Sequence, residues 1–223
     1  MKTRAQIKAR AKKAISNQRG TAILLYFMFF LMALVPWVIG GIVYLTLGSI
    51  AFRIFYYTGY FILLVMAVNM FGEYIKIYKG KPAKVGVLFS GLGTRFFRKL
   101  GCWFWYAIWV ILWSLLLIIP GIIKTLSYHS IFYIIAEYPN VTVRQAMKLS
   151  MKITAGNKGK IFMFGLSWIG WSILSILTLG FLFTFYVGPY MYTADSGLYL
   201  EMKREALRDG RITKADLGLG KDV

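Results

Sequence analysis

The sequence predicts an all-α membrane protein: about six transmembrane or re-entrant helical segments in three hairpin-like blocks, plus a basic amphipathic interfacial helix. Three observations lead there. Hydrophobic residues make up 58% of the 223-residue chain and charged residues only 16%, against about 25% charged in a soluble domain. A bilayer accepts that much apolar surface as its solvent, whereas a soluble core of this size does not. The apolar residues also fall into three long blocks, each led in by a basic segment. Finally, the charge is lopsided, 27 Lys and Arg against 8 Asp and Glu, a net +19. Because the cations stand between apolar blocks, they point to anionic lipid headgroups as the partner and away from nucleic acid.

Residues 1–19 read as a basic N-terminal helix carrying Lys2, Arg4, Lys8, Arg10, Lys12, Lys13 and Arg19. The run that follows is uncharged from Gly20 to Phe52, far beyond the roughly 7–15 apolar residues of a cleavable signal. It is expected to stay as an anchor. This first block reaches Gly72 with only Arg53 interrupting it, about twice the ~20 residues of one crossing. Gly40-Gly41, Gly48-Ser49 and Arg53 mark a turn region between segments at about 21–43 and 53–74. Trp37, Tyr56 and Tyr57 suit a membrane interface.

The second block, Gly101 to Ala136, is divided by Pro120-Gly121 into segments 101–119 and 121–136. The third, Ile161 to about Met202, is divided at Gly180 into 161–179 and 181–203. A proline removes a backbone donor and disfavours helix in the residue before it. One kinked helix of about 36 residues would be ~54 Å long, too long for a ~30 Å hydrocarbon core, so hairpins are expected. Hairpins also keep the acid-free basic segments 76–100 and 140–160 on one side. The positive-inside rule then gives a multi-pass domain over 20–203, with both termini and the tail 204–223 in the cytoplasm. Segments 121–136 and 161–179 are short enough to be re-entrant, which leaves four or five full crossings open. Ser90 to Gly93 reads as a cytoplasmic turn, and Trp113-Ser114-Leu115-Leu116 and Trp171-Ser172-Ile173-Leu174 hint at a repeated hairpin.

Residues 142–155 form the clearest amphipathic helix. Arg144, Lys148 and Lys152 recur every four residues, while Val143, Ala146, Met147, Ser150, Ile153 and Thr154 follow the helical period on another face. Thr142 with Gln145 makes a capping box. Such a helix is expected to lie in the interface with Arg144, Lys148, Lys152, Lys158 and Lys160 toward lipid phosphates. The competing reading is that it packs under the bundle and only orients it.

Ionisable residues inside apolar blocks mark functional sites by default. Here they are Lys124, His129, Glu137 and Asp195, with Arg53 near a segment end. Lys124 and His129 fall on neighbouring faces of one helix, with Glu137 two turns beyond. Asp195 is placed to meet a lysine such as Lys203. Long side chains near helix ends snorkel to the interface, which is the plainer account of Arg53 and Glu137.

Enzyme signatures are missing: there is no HExxH, P-loop or GxSxG. The chain has one histidine and one cysteine, Cys102, so neither a histidine-based metal site nor an intrachain disulfide is expected, and no catalytic residue, metal or cofactor is assigned.

The run WSLLLIIPGIIKTLSY (Trp113 to Tyr128) resembles the signature of an uncharacterised membrane family of mainly Gram-positive bacteria, domain of unknown function 975. So do QAMKLSM (Gln145 to Met151), LSWIGWSILSILTLG (Leu166 to Gly180) and GPYM (Gly188 to Met191), along with IKARAKKAI near the start and LFSGL at Leu88 to Leu92. The Pro-Gly-Ile hairpin and amphipathic helix are distantly similar to the membrane domain attached to some glycerophosphodiester phosphodiesterases, but no phosphodiesterase domain accompanies them here. The family resemblance implies the bacterial cytoplasmic membrane and supplies no catalytic residue or ligand. The expectation is therefore a non-enzymatic component that contacts lipid or a membrane-protein partner, as an exporter accessory or in envelope stress. The alternative is a small transporter or channel using the helix break at Pro120-Gly121.

Overall fold

The structure, a computed structural model, describes residues 2–90, 92, 93 and 95–219. Gly91 of the expected Ser90–Gly93 turn, Met1, and 220–223 of the expected tail lie outside the described residues. Ten α-helices and no strand occur among the described residues.

Helix α1 (Arg4–Ser16) begins at a capping box. Thr3 Oγ1 accepts from the Gln6 N–H at 3.3 Å, and Gln6 Oε1 accepts from the Thr3 N–H at 3.0 Å, so two otherwise orphaned donors are satisfied. Ile7 and Ala11 are its buried residues. Helix α2 (Arg19–Tyr78) is two arms joined at Gly48, whose φ of 84° and ψ of −178° take the chain out of the helix. The arms run back along each other: Trp37 meets Tyr56 edge-on, and the Tyr74 hydroxyl donates to the Ala22 carbonyl at 3.0 Å. Gly59 allows the close approach, since a Cβ there would press into the Pro36 ring.

Helix α4 (Phe96–Leu116) and helix α5 (Ile118–Ser127) form a second hairpin that turns on the extended residue Leu117. The break therefore falls three residues before the expected Pro120-Gly121. The reason is that Pro120 sits in the first turn of α5, where a missing N–H costs nothing because those donors have no intrahelical acceptor. Gly121 serves packing: a Cβ on it would overlap Ser114 of the opposing helix. After a second break at 128–130, helix α6 (Ile131–Glu137) completes the descending limb.

Helix α7 (Val143–Thr154) starts at the Thr142–Gln145 capping box. Its Ala146, Met147, Leu149, Ser150, Ile153 and Thr154 are buried against protein. Helix α8 (Lys158–Leu166) and helix α9 (Ile169–Leu177) rise to a turn at Leu179 and Gly180, with φ of 51° and 84°. The chain returns through a π-helical turn (Phe183–Val187) into helix α10 (Gly188–Arg208). Trp168 against Tyr190 and Trp171 against Tyr186 zip this third hairpin. Two short helical elements remain, α3 (Val87–Ser90) and a 3-10 turn over Ala215–Leu217.

Five stretches are long and apolar enough to cross a membrane: Arg19–Thr46, Gly48–Tyr78, Phe96–Leu116, Ile118–Glu137 and Lys158–Leu177. The expected sixth segment, 181–203, is helical but falls outside this set, because α10 carries Thr193, Asp195, Ser196, Glu201 and Lys203 among its buried or half-buried residues. Burial is distributed unevenly along the molecule. The hairpin tips are exposed and apolar, with Leu45, Leu115 to Ile119, and Ile176, Leu177 and Leu179 all open to the surroundings. The packed core lies at the opposite, basic end, built from α6, α7, α10 and the residues of α2 near Tyr78. Bare apolar tips above a packed polar base are what an integral membrane protein requires, since lipid covers the tips.

Candidate functional site

Helix α6 with the break before it, and helix α10, descend side by side into the basic end and set two rows of polar side chains against each other. His129, Tyr133 and Glu137 recur every four residues on one; Asp195, Tyr199 and Lys203 do so on the other. That spacing puts each row on one helical face. The rows mesh rung by rung. His129 Nε2 lies 3.0 Å from Asp195 Oδ1, and the Tyr133 hydroxyl donates to Asp195 Oδ2 at 2.6 Å. Tyr133 stacks on Tyr199 with ring centroids 5.2 Å apart. The Tyr199 hydroxyl donates to Glu137 Oε2 at 2.7 Å, Lys203 Nζ to the same oxygen at 2.6 Å, and Lys79 Nζ to Oε1 at 2.5 Å. Lys203 also donates to the Tyr138 hydroxyl at 2.9 Å. The carboxylates of this ladder are each met by charged or hydroxyl donors, as buried ionic groups require.

Neighbouring elements supply the backbone groups that the helix breaks set free. Ser150 Oγ and Thr154 Oγ1 of α7 donate to the Ser127 carbonyl at 2.9 and 3.1 Å, and Ser150 Oγ accepts the Ser130 N–H at 3.2 Å. These hydroxyls explain why two polar residues lie on the buried face of α7. Arg98 closes the lower end of α6, donating to the Ile135, Tyr138 and Val141 carbonyls at 3.3, 2.6 and 2.8 Å. Arg4 and Lys8 of α1 do the same for the α8–α9 break, reaching the Met163 and Ser167 carbonyls at 3.1 and 3.3 Å. Lys8 Nζ also sits 3.9 Å from the centroid of the Trp168 ring. Its partial burial, with Arg4 nearby, lowers the Lys8 pKa from the usual lysine value.

Beside the ladder, between α2, α4 and α6, lies a cavity of about 570 Å³ lined by Lys76, Lys79, Lys81, Arg95, Arg98 and Lys99. Its two carboxylates are already engaged. Glu137 belongs to the ladder, and Glu73 accepts from Lys76 Nζ at 2.6 Å and the Lys84 N–H at 2.9 Å. The cavity wall is therefore strongly positive.

The other residues singled out from sequence are spread more widely. Arg144, Lys148, Lys152 and Lys160 are exposed and Lys158 half-buried; the Arg144 guanidinium lies over Trp105, 5.4 Å from its centroid. Lys124 stands apart from the ladder, over Trp113 at 4.5 Å, and lines an open surface recess with Lys158. Asp195 meets His129 in place of a lysine, and the lysine Lys203 meets Glu137. Tyr133, Tyr199 and Lys79 complete the ladder without having been singled out. The four-residue spacing of both rows was a readable signal for the first two. Nothing in the sequence placed Lys79, on another hairpin, beside Glu137.

A search of the curated proteins and a search of the solved structures return no significant match. The likeness to the phosphodiesterase membrane domain thus finds no support in them. A family profile does match, over the second and third hairpins with α7 between them: residues 103–206 are similar to the family described as Protein of unknown function (DUF975).

Proposed function

We propose that this integral membrane protein is a non-enzymatic component of the bacterial cytoplasmic membrane whose basic end gathers anionic lipid headgroups. The observation that carries this reading is the 570 Å³ cavity faced by six cations against two carboxylates, which pair with Lys76 and Lys79 and leave the wall with an excess of positive charge. The exposed stripe Arg144, Lys148 and Lys152 extends the same positive surface along α7. The apolar face of α7 packs on the protein, so this stripe supports contact with phosphates and not insertion of the helix into lipid. Orientation by the positive-inside rule sets the basic end, with both termini, in the cytoplasm. A membrane-protein partner would meet the molecule on this same end.

The test is lipid binding in nanodiscs containing phosphatidylglycerol against nanodiscs of phosphatidylcholine alone. Each cation near an anionic surface contributes about 1 kcal/mol. Exchanging Arg144, Lys148 and Lys152 for Gln is therefore expected to weaken binding by up to on the order of a hundredfold at low salt, and less at 0.15 M. Lys81→Gln with Arg95→Gln addresses the cavity itself. Binding unchanged in both variants rejects the proposal.

A second reading, a small transporter or channel, draws on the ladder and no longer on Pro120-Gly121, which the fold uses as the first turn of a helix. Liposome flux separates the two. Proton-driven acidification above empty vesicles, abolished by Asp195→Asn, would favour transport; equal flux from loaded and empty vesicles leaves the lipid reading in place.

A further inference from the structure

We propose that a second cavity, at the flank where α5, α8, α9 and α10 meet, binds a single-chain amphiphile with an uncharged hydroxyl head, of the fatty-alcohol class. The cavity has a volume of about 500 Å³ and is separate in its lining from the basic one. Phe162 and Leu166, 48% and 40% exposed, form an apolar rim open to the surroundings of α8. Further in, the wall includes Trp168, His129 and Asp195.

Two of these residues hold a buried nitrogen with no hydrogen-bond partner among the described residues: His129 Nδ1 and Trp168 Nε1. Such groups are costly to leave unsatisfied. Their chemistry is complementary. Asp195 is an acceptor that already takes the Tyr133 hydroxyl, so its 3.0 Å contact with His129 Nε2 requires the proton on Nε2. In the neutral imidazole His129 Nδ1 is then an acceptor, while the indole N–H of Trp168 is only a donor. A hydroxyl has the chemistry to answer both kinds of group, accepting from Trp168 and donating to His129. A phosphate or carboxylate meets the Asp195 carboxylate on the same wall, so an anionic head is disfavoured. The apolar rim accommodates one alkyl chain leading out toward lipid. Ordinary lipid headgroups thus belong to the basic end, and this site takes a different class of molecule.

The experiment is photolabelling of the full chain in phosphatidylcholine nanodiscs with a diazirine-bearing hexadecanol, located by peptide mass spectrometry and competed with hexadecanol, hexadecanoate or hexadecane. Labelling on residues 161–168 or 191–195, competed by hexadecanol ahead of the other two, is the expected result. Trp168→Phe keeps an aromatic ring and removes the donor, and is expected to weaken competition about five- to tenfold, the worth of one hydrogen bond. Leu166→Trp narrows the rim without touching the ladder and is expected to suppress labelling even if the first variant folds poorly. Labelling spread over all lipid-facing helices, equal competition by hexadecane, or indifference to both variants overturns the proposal. Phosphatidylglycerol binding at the basic end is read separately and is expected to be unchanged by Trp168→Phe, so either proposal can fail alone.

Discussion

Replacing Glu137 with Gln tests whether the ladder is the structural centre of the basic end. Glu137 is the hub: Lys79, Lys203 and Tyr199 all donate to its carboxylate within 2.7 Å. Its side chain is 13% exposed and that of Lys203 11%, so removing the negative charge leaves Lys203 buried without a counter-ion. Breaking a buried pair from one side costs about 3–5 kcal/mol. Two features place the expectation at the lower end of that range. Lys79 is 36% exposed and turns to solvent at little loss, and the Tyr138 hydroxyl still accepts from Lys203. The expected destabilisation is therefore about 3 kcal/mol, read by urea unfolding in mild detergent with tryptophan fluorescence. The decisive comparison adds Lys203→Met. With the ammonium gone, the uncompensated charge disappears, and the double variant is expected to recover about 2 kcal/mol relative to Glu137→Gln alone, a coupling characteristic of residues in one network. A single variant within about 0.5 kcal/mol of the parent, or a double variant less stable than the single, would refute the reasoning.

Three further outcomes are expected. Gly121→Ala sets a Cβ into Ser114 across the second hairpin and should destabilise by about 1–3 kcal/mol, with partial recovery on adding Ser114→Gly, measured in the same unfolding assay. A cysteine at Leu117, placed in a chain whose buried Cys102 is replaced by Ala, lies among five consecutive exposed apolar residues at a hairpin tip; it should resist a membrane-impermeant maleimide from both faces of a sealed vesicle, and rapid labelling would place that tip in water. Exchanging Arg4 and Lys8 for Gln removes both donors that hold α1 to the α8–α9 break and should raise the rate of proteolysis within residues 4–16 several-fold, with no change elsewhere in the chain.

The sequence made the hairpins legible because their signals are local. Hydropathy over about 20 residues and a basic lead-in are both contiguous in the chain, and so is the capping box of Thr142 and Gln145 that starts α7. Gly180 marked its turn correctly because a positive φ favours glycine there. Pro120 was misleading as a position because its rule is a prohibition on helix interiors, and a prohibition is satisfied by moving the break upstream to Leu117. The polar residues were recognisable one by one, yet pairing Glu137 with Lys79 and Lys203 depends on how three hairpins dock. Asp195 illustrates the limit best. From sequence it lay near lysines on its own helix, but a four-residue turn of α10 directs it to His129 and Tyr133 while Lys203 continues to Glu137. Helix-to-helix register follows from packing over the whole interface, and no local pattern encodes it.

The two proposed sites differ in which part of the chain builds them. Every residue lining the flank cavity, from Leu126 to Asp195, lies within residues 103–206 that match the family. The basic cavity takes all six of its cations from Lys76 to Lys99, outside that match, and only its α6 wall from within it. The ladder joins them, since His129 and Asp195 face the flank cavity while Glu137 and Lys79 face the basic one. Apart from His129 Nδ1, the polar groups of its rungs find partners within it, from Asp195 at one end to Lys79 at the other. The proposed amphiphile and the proposed anion would thus meet opposite ends of one buried network, and Trp168→Phe at the flank and the Lys81 and Arg95 exchanges at the base test them separately.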